Sequence, residues 1–146
     1  MIEEAEFNVT EFLPYLLNQA AEQTSLEFQE IYKGRYGMLR PEWRVLFHLG
    51  KFGTLTSNDI VGMARIHKTK ISRAVSALER KGFLTRDRDA RDRRKENLML
   101  TKRGQKVYEE LVLQAAEYEK NLTAELEAAD IKFIKDILKA LMHRSR

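Results

Sequence analysis

Four arginines, Arg88, Arg91, Arg93 and Arg94, crowd one short polar turn of this sequence. Just upstream, residues 67–81 place Thr69, Arg73, Ser76 and Arg80 on one side of a helical wheel, with Lys70 and Ser72 on its flanks. Side chains of these types hold anions. A guanidinium forks onto a phosphate or onto guanine O6 and N7, and a short hydroxyl reaches a phosphate or base edge without bulk. A helix faced with hydroxyls and cations fits a major groove. A basic hairpin beside it reaches the neighbouring backbone or a narrow minor groove, where negative potential is deepest. Asp92 stands among the tip arginines. Its expected task is internal, holding Arg94 or a nearby backbone N–H so that the tip keeps its shape. Arg91 and Arg93 are equal candidates for the groove position.

Catalytic chemistry has no comparable pattern. The sequence shows no nucleophile–base motif, no phosphate-binding glycine loop and no suggestive pair of carboxylates. Its three histidines, His48, His67 and His143, lack metal-ligand spacing. There is no cysteine, which removes disulfides and thiolate metal sites. The expectation is a binding protein without enzyme activity, metal or cofactor.

Charge is distributed to match. Residues 65–106 hold 15 Lys/Arg against 5 Asp/Glu, a net of +10, while the remaining residues hold 11 against 17, a net of −6. One contiguous third is strongly basic and the rest acidic, which points to a polyanion partner for the middle segment rather than to general solubilisation. The N-terminal residues are acidic and lack a basic n-region with an apolar h-region, so no secretory signal is expected. No apolar run approaches the roughly 18 residues that span a bilayer. A cytoplasmic protein with no membrane partner is expected.

The elements that must position these side chains read as mostly helical, within one domain. Residues 10–33 suit a long helix, with Leu13, Leu16, Leu17, Ala20, Phe28 and Ile31 near helical spacing, broken by Gly34 to Gly37. Pro41 suits the first turn of a second helix that stops near Gly53. Thr56 and Ser57 offer a cap for a third. After a turn at Arg65 and Ile66, a fourth covers about 67–81 and ends at Gly82, with Ile71, Ala74, Val75 and Leu78 as its buried stripe. Segments 83–88 and 95–100 alternate like strands, with Leu98 and Leu100 on one face. Thr101 then caps a helix to about 127. The last helix, about 130–143, is apolar over so wide an arc that it needs cover on more than one side. The terminal regions, about 10–35 and 105–146, therefore read as a dimerisation element around a DNA-binding lobe at about 41–104.

At this point the residues carry a family resemblance. Asp92-Arg93-Arg94, then Leu98, Leu100-Thr101 and Gly104, is similar to the wing signature of the MarR family of transcriptional regulators. Residues 68–73, Lys-Thr-Lys-Ile-Ser-Arg, and 78–86, running from Leu78 to Arg86, resemble that family's recognition helix and its exit. Leu39, Pro41, Trp43, Val45 and Leu46 resemble its second helix. The resemblance implies a mainly α winged helix-turn-helix with a small β-hairpin wing and N- and C-terminal dimerisation helices. It implies a homodimer on a pseudo-palindromic double-stranded operator, usually a repressor released by a small anionic or phenolic ligand. Lys68, Thr69, Lys70, Ser72, Arg73 and Ser76 become groove-facing residues by this resemblance. Asp92 and Arg94 become the wing pair, with Arg91 or Arg93 in the minor groove. The absence of cysteine removes release by thiol oxidation, which one branch of the family uses. His67 and Lys68 begin the recognition helix where Ser or Thr is the more usual cap.

For the anionic or aromatic effector, Tyr15, Tyr36, Trp43, Phe47 and His48 are candidate pocket residues, with Arg44 as the anion partner. The other reading of these six is core aromatics and a satisfied histidine. Two further classes remain beside a regulator. An architectural nucleic-acid-binding winged helix would bind with little sequence preference, and a protein-interaction module would bind no duplex at low salt.

Overall fold

The computed structural model describes residues 6–88, 90–92 and 94–145. Among these, a 3₁₀ turn, Val9–Glu11, precedes α1 (Leu13–Tyr36), α2 (Arg40–Phe52), β1 (Leu55–Thr56), α3 (Ser57–Ala64), α4 (Lys68–Arg80), β2 (Leu84–Arg88), β3 (Glu96–Leu100), α5 (Lys102–Leu122) and α6 (Ala128–Met142). The chain divides into two compact units, Met1–Leu111 and Val112–Arg146, with the division inside α5.

The first unit holds the helix-turn-helix and the wing. Its core is built from the stripes visible in the sequence. Ile71, Ala74, Val75 and Leu78 of α4 are buried with Val45, Leu46 and Leu49 of α2, Ile60 of α3, and Leu84 and Leu98 of the sheet. Thr56 caps α3 by accepting from Asp59 N–H, and the Asp59 carboxylate accepts from Thr56 N–H in return, a capping box. Arg65 then takes the left-handed conformation, φ 56°, that turns the chain from α3 into α4.

The sheet is antiparallel in the order β1-β3-β2. In the β2–β3 pair Leu84 opposes Leu100, Arg86 opposes Leu98 and Arg88 opposes Glu96. Directly opposed residues share a face, so Leu84, Arg86, Leu98 and Leu100 all lie on the side that carries the buried leucines. The register is fixed by that apolar set. β1 was not expected from sequence. It is two residues long and exists through its pairing of Leu55 with Leu98 and Thr56 with Asn97.

Two helix ends differ from expectation. α1 continues through Gly34 to Tyr36, and Gly37 ends it in the left-handed region at φ 65°, with its N–H bonded to Lys33 and Tyr32 carbonyls. A helix tolerates an interior glycine at a cost of about 1 kcal/mol, so Gly34 alone does not stop it. α5 ends at Leu122 and not near 127, because residues 123–126 form turns and Glu127 becomes the N-cap of α6.

The second unit comprises the end of α5 and all of α6. Lys135 pairs with Glu119, and Lys132 pairs with Asp136 one turn on at 2.7 Å. No residue of α6 is buried.

Candidate nucleic-acid interface

α4 forms because its apolar residues recur at helical spacing, and it is fixed at both ends. At its N-terminus His67 acts as the cap: its Nδ1 accepts from Thr69 N–H at 3.1 Å. The helix start therefore stands where the resemblance placed it, with an imidazole doing what a hydroxyl or carboxylate usually does. At the other end Lys81 Nζ donates to Glu42 Oε1 at 2.8 Å, while Glu42 Oε2 accepts from Leu39 N–H at 3.2 Å. Glu42 is 3% exposed, so this carboxylate locks the start of α2 to the end of α4 from inside the fold. Sequence reasoning passed over it. The one available signal was an acid three residues after the N-cap, Leu39, of a helix with proline in its first turn.

Lys68, Thr69, Lys70, Ser72 and Arg73 are all exposed on α4: Thr69 and Arg73 on the side away from Ile71, Ala74, Val75 and Leu78, Lys70 and Ser72 on its flanks, and Lys68 as the first residue of the helix. Ser76 departs from them. It is half-buried, and its Oγ accepts from Arg86 Nη2 at 2.8 Å. Arg86 is a junction between helix and wing. Its Nη1 donates to Glu96 Oε2 on β3 at 3.2 Å. Its Nε lies 3.3 Å from Glu79 Oε1, an ion pair whose geometry falls short of a hydrogen bond. Ser76 is therefore part of the brace that sets the wing against α4.

The wing tip is partly described. Asp92 Oδ1 accepts from the Arg94 backbone N–H at 3.0 Å, and the Asp92 carbonyl accepts from Lys95 N–H at 3.0 Å. This is the brace expected of Asp92, made to the main chain of Arg94. Arg91 and Arg94 are exposed. Arg93, the other expected groove residue, lies outside the described residues, as does Asp89. Arg94 and Lys95 also line a cleft of about 430 Å³ with the first turn of α3.

The six expected pocket residues do not come together in one chain. Tyr15 is exposed in the first turn of α1 and Tyr36 is its last residue, 21 positions on. At 1.5 Å per residue they stand about 31 Å apart along one helix. Trp43 and Phe47 do meet, ring centroids 5.3 Å apart, within a run of edge-on aromatics that extends to Phe28 on one side and Tyr108 on the other. Tyr36 donates to Glu110. Burial, then that hydrogen bond and the Glu110 charge, raise the Tyr36 phenol above its ordinary value and keep it a neutral donor. Arg44 Nη2 donates to the Ala64 carbonyl at the end of α3 at 2.8 Å. Burial, with the nearby charge of Arg40, lowers the Arg44 pKa. His48 Nδ1 donates to the Arg44 carbonyl at 2.6 Å. Arg44 and His48 thus have structural partners, which is the core reading of these two residues.

The geometry defines a winged helix-turn-helix, with α3 and α4 as the helix pair and β2–β3 as the wing. Comparison with known proteins extends this. The MarR family model matches residues 36–95, which take in α2 to β2 and stop just before β3. The homoprotocatechuate degradative operon repressor of Escherichia coli is 26% identical over 126 residues, covering 86% of this chain and 84% of that protein. The crystal structure of a MarR/EmrR family transcriptional regulator from Acinetobacter sp. ADP1 superposes with a TM-score of 0.83 at 27% identity, over 93% of this chain and 96% of that one. That of NadR in complex with 4-hydroxyphenylacetate superposes with a TM-score of 0.80 at 25% identity, over 99% and 100%. The chain is thus similar to MarR-family helix-turn-helix transcriptional regulators, through residues 36–95 by the family model and over more than nine tenths of its length by fold.

Proposed function

We propose that this protein is a cytoplasmic, homodimeric repressor. It binds a pseudo-palindromic operator in double-stranded DNA and leaves it when a small anionic or aromatic effector binds. The observation that carries the DNA-binding reading is one exposed surface, Lys68, Thr69, Lys70, Ser72 and Arg73, with the wing braced beside it through Arg86. α4 then enters the major groove with Thr69, Ser72 and Arg73 toward base edges. Arg94, held by Asp92, meets the backbone, and Arg91 or Arg93 reaches the minor groove. Repression is supported by likeness to the Escherichia coli operon repressor, and an aromatic acid as effector by likeness to NadR, whose structure holds 4-hydroxyphenylacetate. Tyr36, Trp43 and Phe47 are the candidate lining for such a ligand. Tyr15 joins them only where a second copy of the chain supplies it. Among the described residues no helix is long and apolar enough to cross a membrane.

The test is a mobility-shift titration on duplexes selected from the organism's own DNA. A regulator prefers its operator over random duplex by roughly 10³ or more at fixed salt, whereas an architectural protein shows no such ratio. Arg73→Ala is expected to cost about 1–3 kcal/mol and to relax the preference at one position. Arg94→Ala weakens binding to all sequences alike. If neither substitution changes affinity, the docking of α4 and wing is wrong.

A further inference from the structure

A cleft of about 590 Å³ opens between the first turn of α2 and the flank of α4. Its lining includes four cations, Arg40 from α2 and Lys70, Arg73 and Arg80 from α4. Its one carboxylate, Glu42, is buried and already paired with Lys81. Arg40 is held by Glu22 at 3.0 Å. Among the described residues no carboxylate lies within ion-pairing distance of Lys70, Arg73 or Arg80.

Position on the helix gives this cleft its meaning. At 100° per residue, Ser72 and Ser76 lie on one edge of the outer face of α4, the edge that the wing is tied to through Arg86. Lys70, Ala74 and Ala77 lie on the other edge, and the cleft runs along it. A helix seated in a major groove has a phosphate strand on each side. The wing accounts for one side only. Ala74 and Ala77 keep the second edge low, so a sugar–phosphate strand can approach the helix without displacing a large side chain. Lys70 and Arg80 are about 15 Å apart along the axis, the rise of about four base steps of one strand.

We propose that one strand of the duplex runs along this cleft, with Arg80 as a phosphate contact at the end of α4, Lys70 as a second in its first turn, about 15 Å away along the axis, and Arg40 at the far wall. The proposal rests on the DNA-binding reading above and extends the interface from α4 onto α2.

The probe is a random-sequence duplex about three helical turns long. Its affinity for the full-length protein is measured across a salt series. The wild type gives a linear fall of log affinity with log salt. Because the proposed homodimer carries two copies of Arg80, Arg80→Ala is expected to make that slope shallower by about 1.8 and, where the two lines converge near 1 M, to weaken binding about 60-fold at 0.1 M. Arg80→Gln repeats the measurement with a longer neutral side chain. Lys51→Ala, at the opposite end of α2, is expected to leave the slope unchanged. An Arg80 variant that keeps its thermal midpoint and the wild-type slope overturns the proposal and leaves the cleft to a small anion. An equal change with Lys51→Ala overturns it too, since the effect would then be general charge. A wild type that binds no duplex at low salt defeats the DNA reading itself, which separates the two failures.

Discussion

Arg86 belongs by sequence to the basic hairpin, yet the structure spends it on the protein. Its guanidinium lies among Ser76, Glu79 and Glu96, and its side chain is 28% exposed. A cation facing two carboxylates has little charge left for phosphate. Its contribution to DNA binding is the angle at which it sets the wing. Arg86→Gln is therefore expected to lower stability by about 1–2 kcal/mol, since it removes hydrogen bonds made by a charged group. It is also expected to weaken duplex binding on the order of tenfold, as a misplaced docking element does, while the salt slope stays at the wild-type value. Glu96→Gln, which adds no negative charge near DNA, should move affinity in the same direction by less. A slope that falls as for a lost phosphate would make Arg86 a DNA contact instead. The period-two pattern held a clue: Leu84, Arg86 and Arg88 share a face, so Arg86 stands on the leucine side. Its partners were not legible, because Ser76 and Glu96 lie ten positions away on either side and meet it only through tertiary packing. The outer face of α4 was legible from helical period except at Ser76, which the wing covers through Arg86.

At the scale of elements, the wing and the helix-turn-helix are latched to α5 at one point. Thr101 N–H donates to the Phe83 carbonyl at 3.0 Å, Thr101 Oγ1 donates to the Gly82 carbonyl at 2.6 Å, and the same oxygen accepts from Gly104 N–H at 3.0 Å. Thr101 thus caps α5 and ties it to the exit of α4. The tie brings backbones so close that a Cβ on Gly104 would stand 1.9 Å from the Phe83 carbonyl oxygen. Gly104→Ala is expected to cost about 2–3 kcal/mol through this overlap, read as a lower midpoint in denaturant with an unchanged slope. Gly34→Ala, with open space around its site, should instead raise helix stability slightly. If both substitutions behave alike, the close approach at Gly104 is not real. Elements with strong period, caps or proline starts were visible in the sequence: α2, α3, α4, β2 and β3 all stand within a residue or two of expectation. β1 was invisible because two residues carry no period. The end of α1 was misplaced because one glycine costs a long helix little, while the second, Gly37, meets the backbone's need for a positive φ.

At the scale of the whole molecule, the apolar surface that remains exposed decides the assembly. In the second unit Phe133 is 65% exposed, Ile134 45%, Ile137 41%, Leu138 39% and Met142 51%. In the first unit Phe7, Phe12, Leu13 and Leu16 near the N-terminus are exposed as well. Scattered apolar residues need no explanation, but five on one fifteen-residue helix with no buried residue do. Water is a poor solvent for such a helix, and in the proposed homodimer a second copy of the chain supplies the cover, with the symmetry that the proposed pseudo-palindromic operator requires. The expectation is a dimer at micromolar concentration by sedimentation equilibrium. Phe133→Asp together with Ile137→Asp should shift the protein to a monomer while the helix-turn-helix unit, which neither residue belongs to, keeps its fold. That monomer tests the link from assembly to function. Two linked modules bind with an effective concentration that one module lacks, so the monomer should lose at least about 10²-fold in affinity for a two-half-site operator. Its affinity for an isolated half-site should change little. A wild type that sediments as a monomer sinks the dimer. A monomeric variant that holds the full operator as tightly as the wild type sinks the need for it, and a single lobe would then carry recognition alone.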